Sequence, residues 1–409
     1  MAKPKFLAKI INSESRWPFI VVAALISAVV ILTSGVFAKP DESTYTLSQH
    51  MSSQYNVVKA RVIDTDDSAL VDEPFINGMK IGVQKTTVEI IRGNHRGEVY
   101  DINNTMNRVL NIHLKPDMTF LCMVQETDGE VQRVDVYGYN RDMLIYGLVT
   151  VFVLVVLLVG RKKGIYSLAS LAFTMIIVIF FLIPRIMEGH NPILMAIVTA
   201  ALTTVATMFI VSGCNSKSVS AIAGIVIGVI ASGVVSVIAG RLGHISGINA
   251  QEAEEMIYLA QDIPLKVPEL FFAGIIVSAL GAIMDIGISI SSTVFEVRAA
   301  NPKLGMSELY KSGMNVGRDT IGTMTNTLIL AFAGSSMAVM IIIAMYRLPF
   351  LRMINLNMLG LEVIQGISGS IGLIITVPVT ALCAAFFASA GSKKKLPIKP
   401  DVKSGSKKR

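Results

Sequence analysis

Eight long apolar runs divide this chain of 409 residues. A helix needs about 20 mostly apolar residues to cross the roughly 30 Å hydrocarbon core of a bilayer, and the runs are close to that length. Hydrophobic residues make up 52% of the chain and charged residues only 16%, less charge than a soluble protein carries. The sequence therefore predicts an α-helical polytopic membrane protein with about eight transmembrane helices. The runs are roughly Trp17–Phe37, Met143–Val159, Ile165–Ile183, Pro192–Val211, Val219–Ala239, Pro268–Ser292, Ile321–Met345 and Leu361–Ala388.

The distribution of Lys and Arg predicts the orientation of these helices. With a cytoplasmic N-terminus, the predicted inner segments carry 20 Lys and Arg residues and the short outer loops carry five. Positive residues concentrate on the cytoplasmic side of a membrane, so we expect a plasma-membrane protein with both termini in the cytoplasm. The C-terminal tail holds eight of these charges. Such a tail favours contact with anionic lipid over nucleic-acid binding, which normally needs a folded basic surface.

Composition divides the chain into four regions. Residues 1–38 form an N-terminal tail and a first transmembrane helix, and residues 39–142 form a polar extracytoplasmic insert. Residues 143–390 form a seven-helix membrane domain, and residues 391–409 form the basic cytoplasmic tail. The first apolar run could instead be a cleaved signal peptide, because small residues precede Lys39. The run is longer than the 7–15 apolar residues of a signal peptide, so an uncleaved anchor is favoured.

The polar insert contains five short segments that are typical of β-strands. Several alternate apolar and polar side chains, and turn-forming residues separate them. We expect a small all-β domain, for which an OB-like barrel is one option. The segments are Asn56–Ile63, Lys85–Ile91, Glu98–Ile102, Thr119–Val124 and Val131–Tyr137.

The sequence carries no recognisable signal for enzymatic or cofactor chemistry. Its three cysteines, Cys122, Cys214 and Cys383, have no metal-ligand spacing. No Walker A, GxSxG or HExxH pattern is present. We therefore expect no catalytic residues, no metal site and no cofactor.

The fifth apolar run presents small residues at every fourth position. Such a face lets helices approach closely within lipid. We expect tight helix packing there, with a sliding surface in a moving transporter as the alternative. The residues are Gly224, Gly228, Ser232, Ser236 and Gly240.

A lone carboxylate, Asp285, lies in the middle of the sixth run. Helical spacing places it on one face with Ser278, Gly281, Ser289 and Ser292. An acid at that depth costs at least about 2.5–3.5 kcal/mol and usually faces a bundle interior or a cavity. Asp285 is therefore either a group for ion or substrate passage or a structural hydrogen-bonding partner.

The seventh run begins with a second polar face, formed by Thr320, Thr323, Asn326 and Thr327. We expect this face to pack against that of Asp285, away from lipid. Asp319 should lie at the start of the seventh helix, where a carboxylate serves either as a cap or in transport.

Charged residues mark the predicted inner rim between these two helices. Arg298 and Arg318 are expected to pair with Glu296 or Asp319.

These segments resemble a known family. The stretches "ALGAIMDIGIS", "STVFEVRAANP" and "GRDTIGTMTNTLILAFAG", within residues 279–334, are similar to the YibE/F family of multi-spanning bacterial membrane proteins, and weaker likeness extends over about residues 55–387. The resemblance implies a small extracytoplasmic domain followed by a seven-helix permease-like region, and it supplies no substrate. The family's acidic and basic residues correspond to Asp285, Glu296, Asp319, Arg298 and Arg318.

A fainter similarity concerns the order of the two polar helices and their linker. It is similar to that of SecD/SecF and the resistance-nodulation-division permeases, which couple transport to a proton gradient through intramembrane acids. This similarity is an analogy in the arrangement of segments.

Two functions follow as expectations. The favoured one is a permease or export-assisting protein that moves a solute or an ion, coupled through Asp285. The alternative is a membrane scaffold that does not transport, in which the β-domain binds an envelope protein. In both cases the partners are the lipid bilayer and either a small solute or an envelope protein, and no nucleic acid is expected.

Overall fold

The computed structural model describes residues 27, 55–127, 130–245, 256 and 264–390. It divides into two compact units, one of Pro40–Val159 and the other of Met1–Lys39 with Gly160–Arg409. The predictions for the first apolar run, apart from Ser27, and for the basic tail lie outside the described residues.

The first unit contains a six-stranded antiparallel sheet. All five predicted strands are confirmed, and a three-residue strand, β2, is added. Strand β1 pairs with β3 and β5, β3 pairs also with β2 and β4, and β5 pairs with β6. Because β4 and β6 also approach each other, the sheet curls into a partly open barrel. The strands are β1 (Tyr55–Asp66), β2 (Leu70–Asp72), β3 (Lys80–Ile90), β4 (Val99–Met106), β5 (Thr119–Thr127) and β6 (Glu130–Tyr139).

The interior of this sheet is formed by alternate residues of its central strands. Val62 of β1, Val88 of β3 and Phe120 of β5 are fully buried, as the two-residue period of a strand requires. Cys122 lies in the same layer, and burial raises the pKa of its thiol to about 11. The thiol is therefore protonated at neutral pH and behaves as a small apolar side chain.

The remaining regular secondary structure of the described chain is helical. The elements are α1 (Asp142–Ile177), a π-helical turn (Val178–Leu182), α2 (Ile183–Met187), α3 (Pro192–Ser212), α4 (Ser216–Leu242), α5 (Val267–Ala300), α6 (Met306–Ser335), α7 (Met337–Met345), α8 (Phe350–Ile354) and α9 (Asn357–Ala390).

Within the described residues, five helices are long and apolar enough to cross a membrane, or six if α6 and α7, bent by 64°, form one span. The prediction of eight is thus not reproduced, for two reasons. The first run lies outside the described residues, and the second and third runs join in one helical stretch of 46 residues, Asp142–Met187. Arg161 interrupts that stretch with non-helical dihedral angles, φ 48° and ψ −129°, at the point where the sequence predicted a loop.

Helices α3, α4, α5, α6 and α9 form the main core of the second unit. The buried layer consists of aliphatic side chains such as Ile225, Ile283, Ile290 and Val377, each 0% exposed. Helices α4 and α9 make the closest contact. This core fixes which faces of α5 and α6 remain outside.

Candidate functional site

The small-residue face of α4 lies against α9. Gly224 contacts Thr380, and Gly228 contacts Thr376 and the carbonyl oxygen of Gly372. Ser232 and Ser236 are fully buried, and Gly240 contacts Phe272 of α5. The structure thus places all five residues in helix contacts, and their role in movement stays a prediction.

Two glycines of α6 set the register between α5, α6 and α9. Gly313 contacts Val294 and Ala381, and Gly317 contacts Ile290 and Val377. Helices α5 and α6 are therefore antiparallel: moving four residues towards the C-terminus of α6, from Gly313 to Gly317, moves the contact four residues towards the N-terminus of α5, from Val294 to Ile290. Continuing this register places Asp285 level with Gly322, and Ser289 level with Arg318.

Asp285 lies on the exposed face of α5. The residues that α5 buries include Ile283, Ile286 and Ile290, each 0% exposed. At 100° per residue, Asp285 points away from that layer. Ser278, Gly281 and Ser289 share its exposed face. Ser292, one turn beyond Ser289, is half-buried and lines a cavity with two lysines.

The polar side of α6 is exposed as well. Asn315, Arg318, Asp319, Thr323 and Asn326 all lie outside the core. The hydroxyls along this side donate to backbone carbonyls of their own helix: Thr320 to Val316 at 2.7 Å, Thr323 to Thr320 at 3.0 Å and Thr327 to Thr323 at 2.9 Å. Their oxygens can still accept a hydrogen bond from a bound group.

The prediction that these two polar faces pack against each other is therefore wrong. The glycine face of α6 allows close contact with the branched aliphatic face of α5, and dispersion favours that tight packing. Both polar faces are left outside, at the same height.

Asp319 does not begin a helix, so its predicted capping role is also wrong. Helix α6 starts at Met306, and Gly305 is its N-cap. The backbone N–H of Gly305 donates to Glu308 Oε2 at 2.8 Å. Asp319 is exposed in the middle of α6, on the face of Asn315 and Asn326.

The inner-rim charges do not form the expected ion pairs. Arg298 donates to the carbonyl oxygen of Leu304, which closes the turn between α5 and α6. Arg318 donates to Asn315 Oδ1 at 3.4 Å. Within the described chain, neither arginine pairs with Glu296 or Asp319.

Sequence reasoning missed one carboxylate of the membrane unit, that of Glu362 on α9. It lines an apolar cavity of about 350 Å³ beside the bend between α6 and α7, together with Phe332 and Ser336. Ser336 is buried, and its hydroxyl has no hydrogen-bond partner. The available signal was a single acid near the start of the eighth apolar run.

The polar faces of α5 and α6 carry groups that accept protons, cations or hydrogen bonds. A carboxylate accepts protons or metal ions, and the serine oxygens one turn away supply further acceptors. Across residues 55–127, 130–245 and 264–390, His, Cys, Asp and Glu form no group of three that could hold a metal ion.

Comparison with known proteins places the chain in a family. No curated protein and no solved structure matches it. The family model described as YibE/F-like protein matches residues 148–390, which include both polar faces and every helix from α3 to α9. Because this match covers more than half of its residues, the chain belongs to the YibE/F-like family.

Proposed function

We propose that this membrane protein is a permease or export-assisting protein that moves a cation or a polar solute along the polar faces of α5 and α6. The observation that carries the proposal is the alignment of these faces. Ser289 and Arg318 are exposed at the same height, and Asp285 is exposed level with Gly322, one turn from Arg318 and from Asn326, on two neighbouring helices of an apolar bundle.

The lack of an internal partner for Asp285 favours exchange over a structural role. A structural carboxylate in a membrane helix is retained because it pairs with another group. Within the described residues, Asp285 makes no hydrogen bond and no ion pair. Its carboxylate is therefore free to take up and release a proton or another cation.

Because these polar faces are exposed on predicted membrane helices, water or another polar group must contact them. Lipid chains cannot satisfy carboxylate, guanidinium and amide groups, and each unsatisfied group costs several kcal/mol. In the proposal, water and the moving solute meet this face. The protein would lie in the plasma membrane with both termini in the cytoplasm, as the charge distribution predicts.

The test is a flux assay with purified protein in liposomes. A pH-sensitive dye inside reports proton movement after a pH gradient is imposed, and sodium, potassium, divalent cations and cationic drugs are added in turn. We expect at least one addition to change the internal pH. Asp285→Asn should abolish the response while inserting and folding like the parent, because it removes titration and keeps the shape.

Glu188→Gln is the matched control. It makes the same chemical change in an exposed carboxylate that pairs with Arg185 at 2.8 Å, away from the polar faces. A parental response from Asp285→Asn would reject the coupling role. Failure of Asp285→Leu to fold, combined with full activity of Asp285→Asn, would establish the structural role instead.

A second candidate function, the envelope scaffold, is favoured by an apolar patch on the β-domain. Phe75 is 84% exposed and Val109 90% exposed, and the patch also includes Val71, Ile76 and Leu110. An exposed apolar cluster of this kind marks an interaction surface.

We infer that the β-domain is OB-like, because its strand order runs β1–β3–β4 on one side and β1–β5–β6 on the other.

Strand β2 and two loops carry the patch, and an ion pair holds the two loops together. Arg108 Nε donates to Glu73 Oε1 at 2.9 Å, and the guanidinium lies 5.5 Å from the centre of the Phe75 ring. A photo-crosslinking residue at Val109 in intact cells should then capture an envelope protein, whereas one at exposed Arg133 on β6 should not. Equal capture at both sites, together with active flux, would reject the scaffold.

A further inference from the structure

A cavity of about 250 Å³ opens where α3 ends and α4 begins. Its volume is several times the roughly 30 Å³ that one water molecule occupies. Four helices contribute to its wall. The residues that matter are Lys163 of α1, Ser212 of α3, Asn215 and Lys217 at the start of α4, and Ile288 and Ser292 of α5.

The cavity wall is positively charged. Lys163 and Lys217 both line it, and no carboxylate does. Within the described residues, neither lysine forms an ion pair. Two positively charged lysines beside one cavity repel each other. An anion bound between them would be attracted to both and would offset that repulsion.

Hydrogen-bond donors surround the same space. Ser212 and Ser292 line the cavity together with the two lysines, so their hydroxyls are candidate donors to a bound group. Helix α4 begins at Ser216, so the positive end of its dipole adds to the field of the lysines. These donors suit an anion with several oxygens, since phosphate forms strong charge-assisted hydrogen bonds.

Hydrogen bonds hold this wall in shape without an occupant. Asn215 Oδ1 accepts from the Ser218 backbone at 2.9 Å, and Asn215 Nδ2 donates to the Ser212 carbonyl at 2.8 Å. The carbonyl oxygen of Lys217 accepts from the hydroxyls of Ser220 and Ser291, both at 2.8 Å. The second bond joins α4 to α5, so the start of α4 is fixed relative to Ser292.

We propose that this cavity binds a phosphate-type anion, supplied either by the headgroup of an anionic lipid or by free phosphate. The charge distribution predicts that this end of the bundle lies at the cytoplasmic leaflet, where anionic lipids are common. The proposal does not depend on transport along α5 and α6.

The test uses the full-length protein purified in a neutral detergent. Three probes are added separately: phosphatidylglycerol, zwitterionic phosphatidylcholine and inorganic phosphate. Thermal unfolding measures stabilisation, and native mass spectrometry counts retained lipid. We expect a probe with an accessible anionic phosphate to raise the Tm in a saturable way, since ligands that bind only the folded state stabilise it.

Variants identify the cavity as the source of this response. Lys163→Gln with Lys217→Gln should weaken the apparent affinity by about tenfold or more, the effect of losing at least one charge-assisted hydrogen bond. The matched control is Lys162→Gln with Lys303→Gln, which removes the same charge from exposed positions outside the cavity. Lys163→Arg with Lys217→Arg keeps the charge and should keep most of the affinity. Each lysine is also replaced alone, so that a folded variant exists if the double one is unstable.

The outcomes separate the two sources of the anion. A response to phosphatidylglycerol alone identifies a lipid headgroup, and an equal response to inorganic phosphate identifies a site for a free anion. Both support the cavity. An equal loss of affinity in the two double glutamine variants, or no response of the parent protein to any anionic probe, would overturn the proposal.

Discussion

Gly228 of α4 lies so close to Thr376 of α9 that a Cβ atom at position 228 would overlap the threonine hydroxyl. The same atom would lie 2.7 Å from the carbonyl oxygen of Gly372. A backbone oxygen cannot rotate away as a side chain can. The approach of α4 and α9 therefore depends on the absence of a side chain at this position.

Gly228→Ala should consequently destabilise the membrane unit by about 1–3 kcal/mol through overpacking. Thermal unfolding of the purified protein in detergent measures the effect. The control is Gly281→Ala, because a Cβ at exposed Gly281 meets nothing within 4 Å. Equal unfolding temperatures of the two variants would show that α4 and α9 are farther apart at Gly228 than the structure places them.

Gln84 should be essential to the interior of the β-domain. Its side chain donates to the Leu114 carbonyl at 2.8 Å and accepts from Asn104 Nδ2 at 3.0 Å. Gln84→Leu would remove the side-chain donor to the buried Leu114 carbonyl and leave the Asn104 amide with only its hydrogen bond to the Ile112 carbonyl, at about 1–3 kcal/mol for each group that loses its partner. Chemical unfolding followed by Tyr fluorescence should detect the loss, and Gln132→Leu on the exposed side of β6 should have little effect.

The stability of the β-domain should fall in acid partly through Asp67. His113 Nε2 lies 2.9 Å from Asp67 Oδ2, and this hydrogen bond, with that from Gln84, holds the pKa of Asp67 below its ordinary value of 3.8 although burial opposes the shift. A lowered pKa contributes stability above the unfolded value, and the contribution is lost as the pH falls through the folded value.

Asp67→Asn removes that titration. The Tm of the parent should thus fall more steeply than that of the variant as the pH is lowered from about 5 towards 3. Exposed Asp72→Asn is the control and should follow the parent. Parallel curves for the parent and Asp67→Asn would contradict the predicted role of the Asp67–His113 pair.

The predicted orientation can be tested by labelling single cysteines in intact cells. In a background without Cys122, Cys214 and Cys383, Asp117→Cys in the β-domain should react with a thiol reagent that cannot cross the membrane. Lys163→Cys should react only after the cells are opened. Labelling of Lys163→Cys in intact cells would reverse the predicted orientation.

The sequence alone determined the elements that are defined by local periodicity. Apolar runs predicted helices α3, α4 and α9 within four residues at each end, whereas α5 continues eight residues beyond the predicted end at Ser292. Alternation predicted five of the six described strands. Strand β2 has only three residues, too few to show a period. Local patterns suffice where an element repeats one side-chain period over enough residues, or where the bilayer sets its length.

The tertiary structure decided where α6 begins and which way the polar faces point. Residues before Ile321 are polar enough to be interpreted as a linker, yet they are helical from Met306, because Gly313 and Gly317 pack against α5 and α9. The position of Asp285 on its helix follows from the sequence. Its exposure does not, since a helical pattern shows which residues share a face, whereas the shapes of the neighbouring helices decide which face is buried.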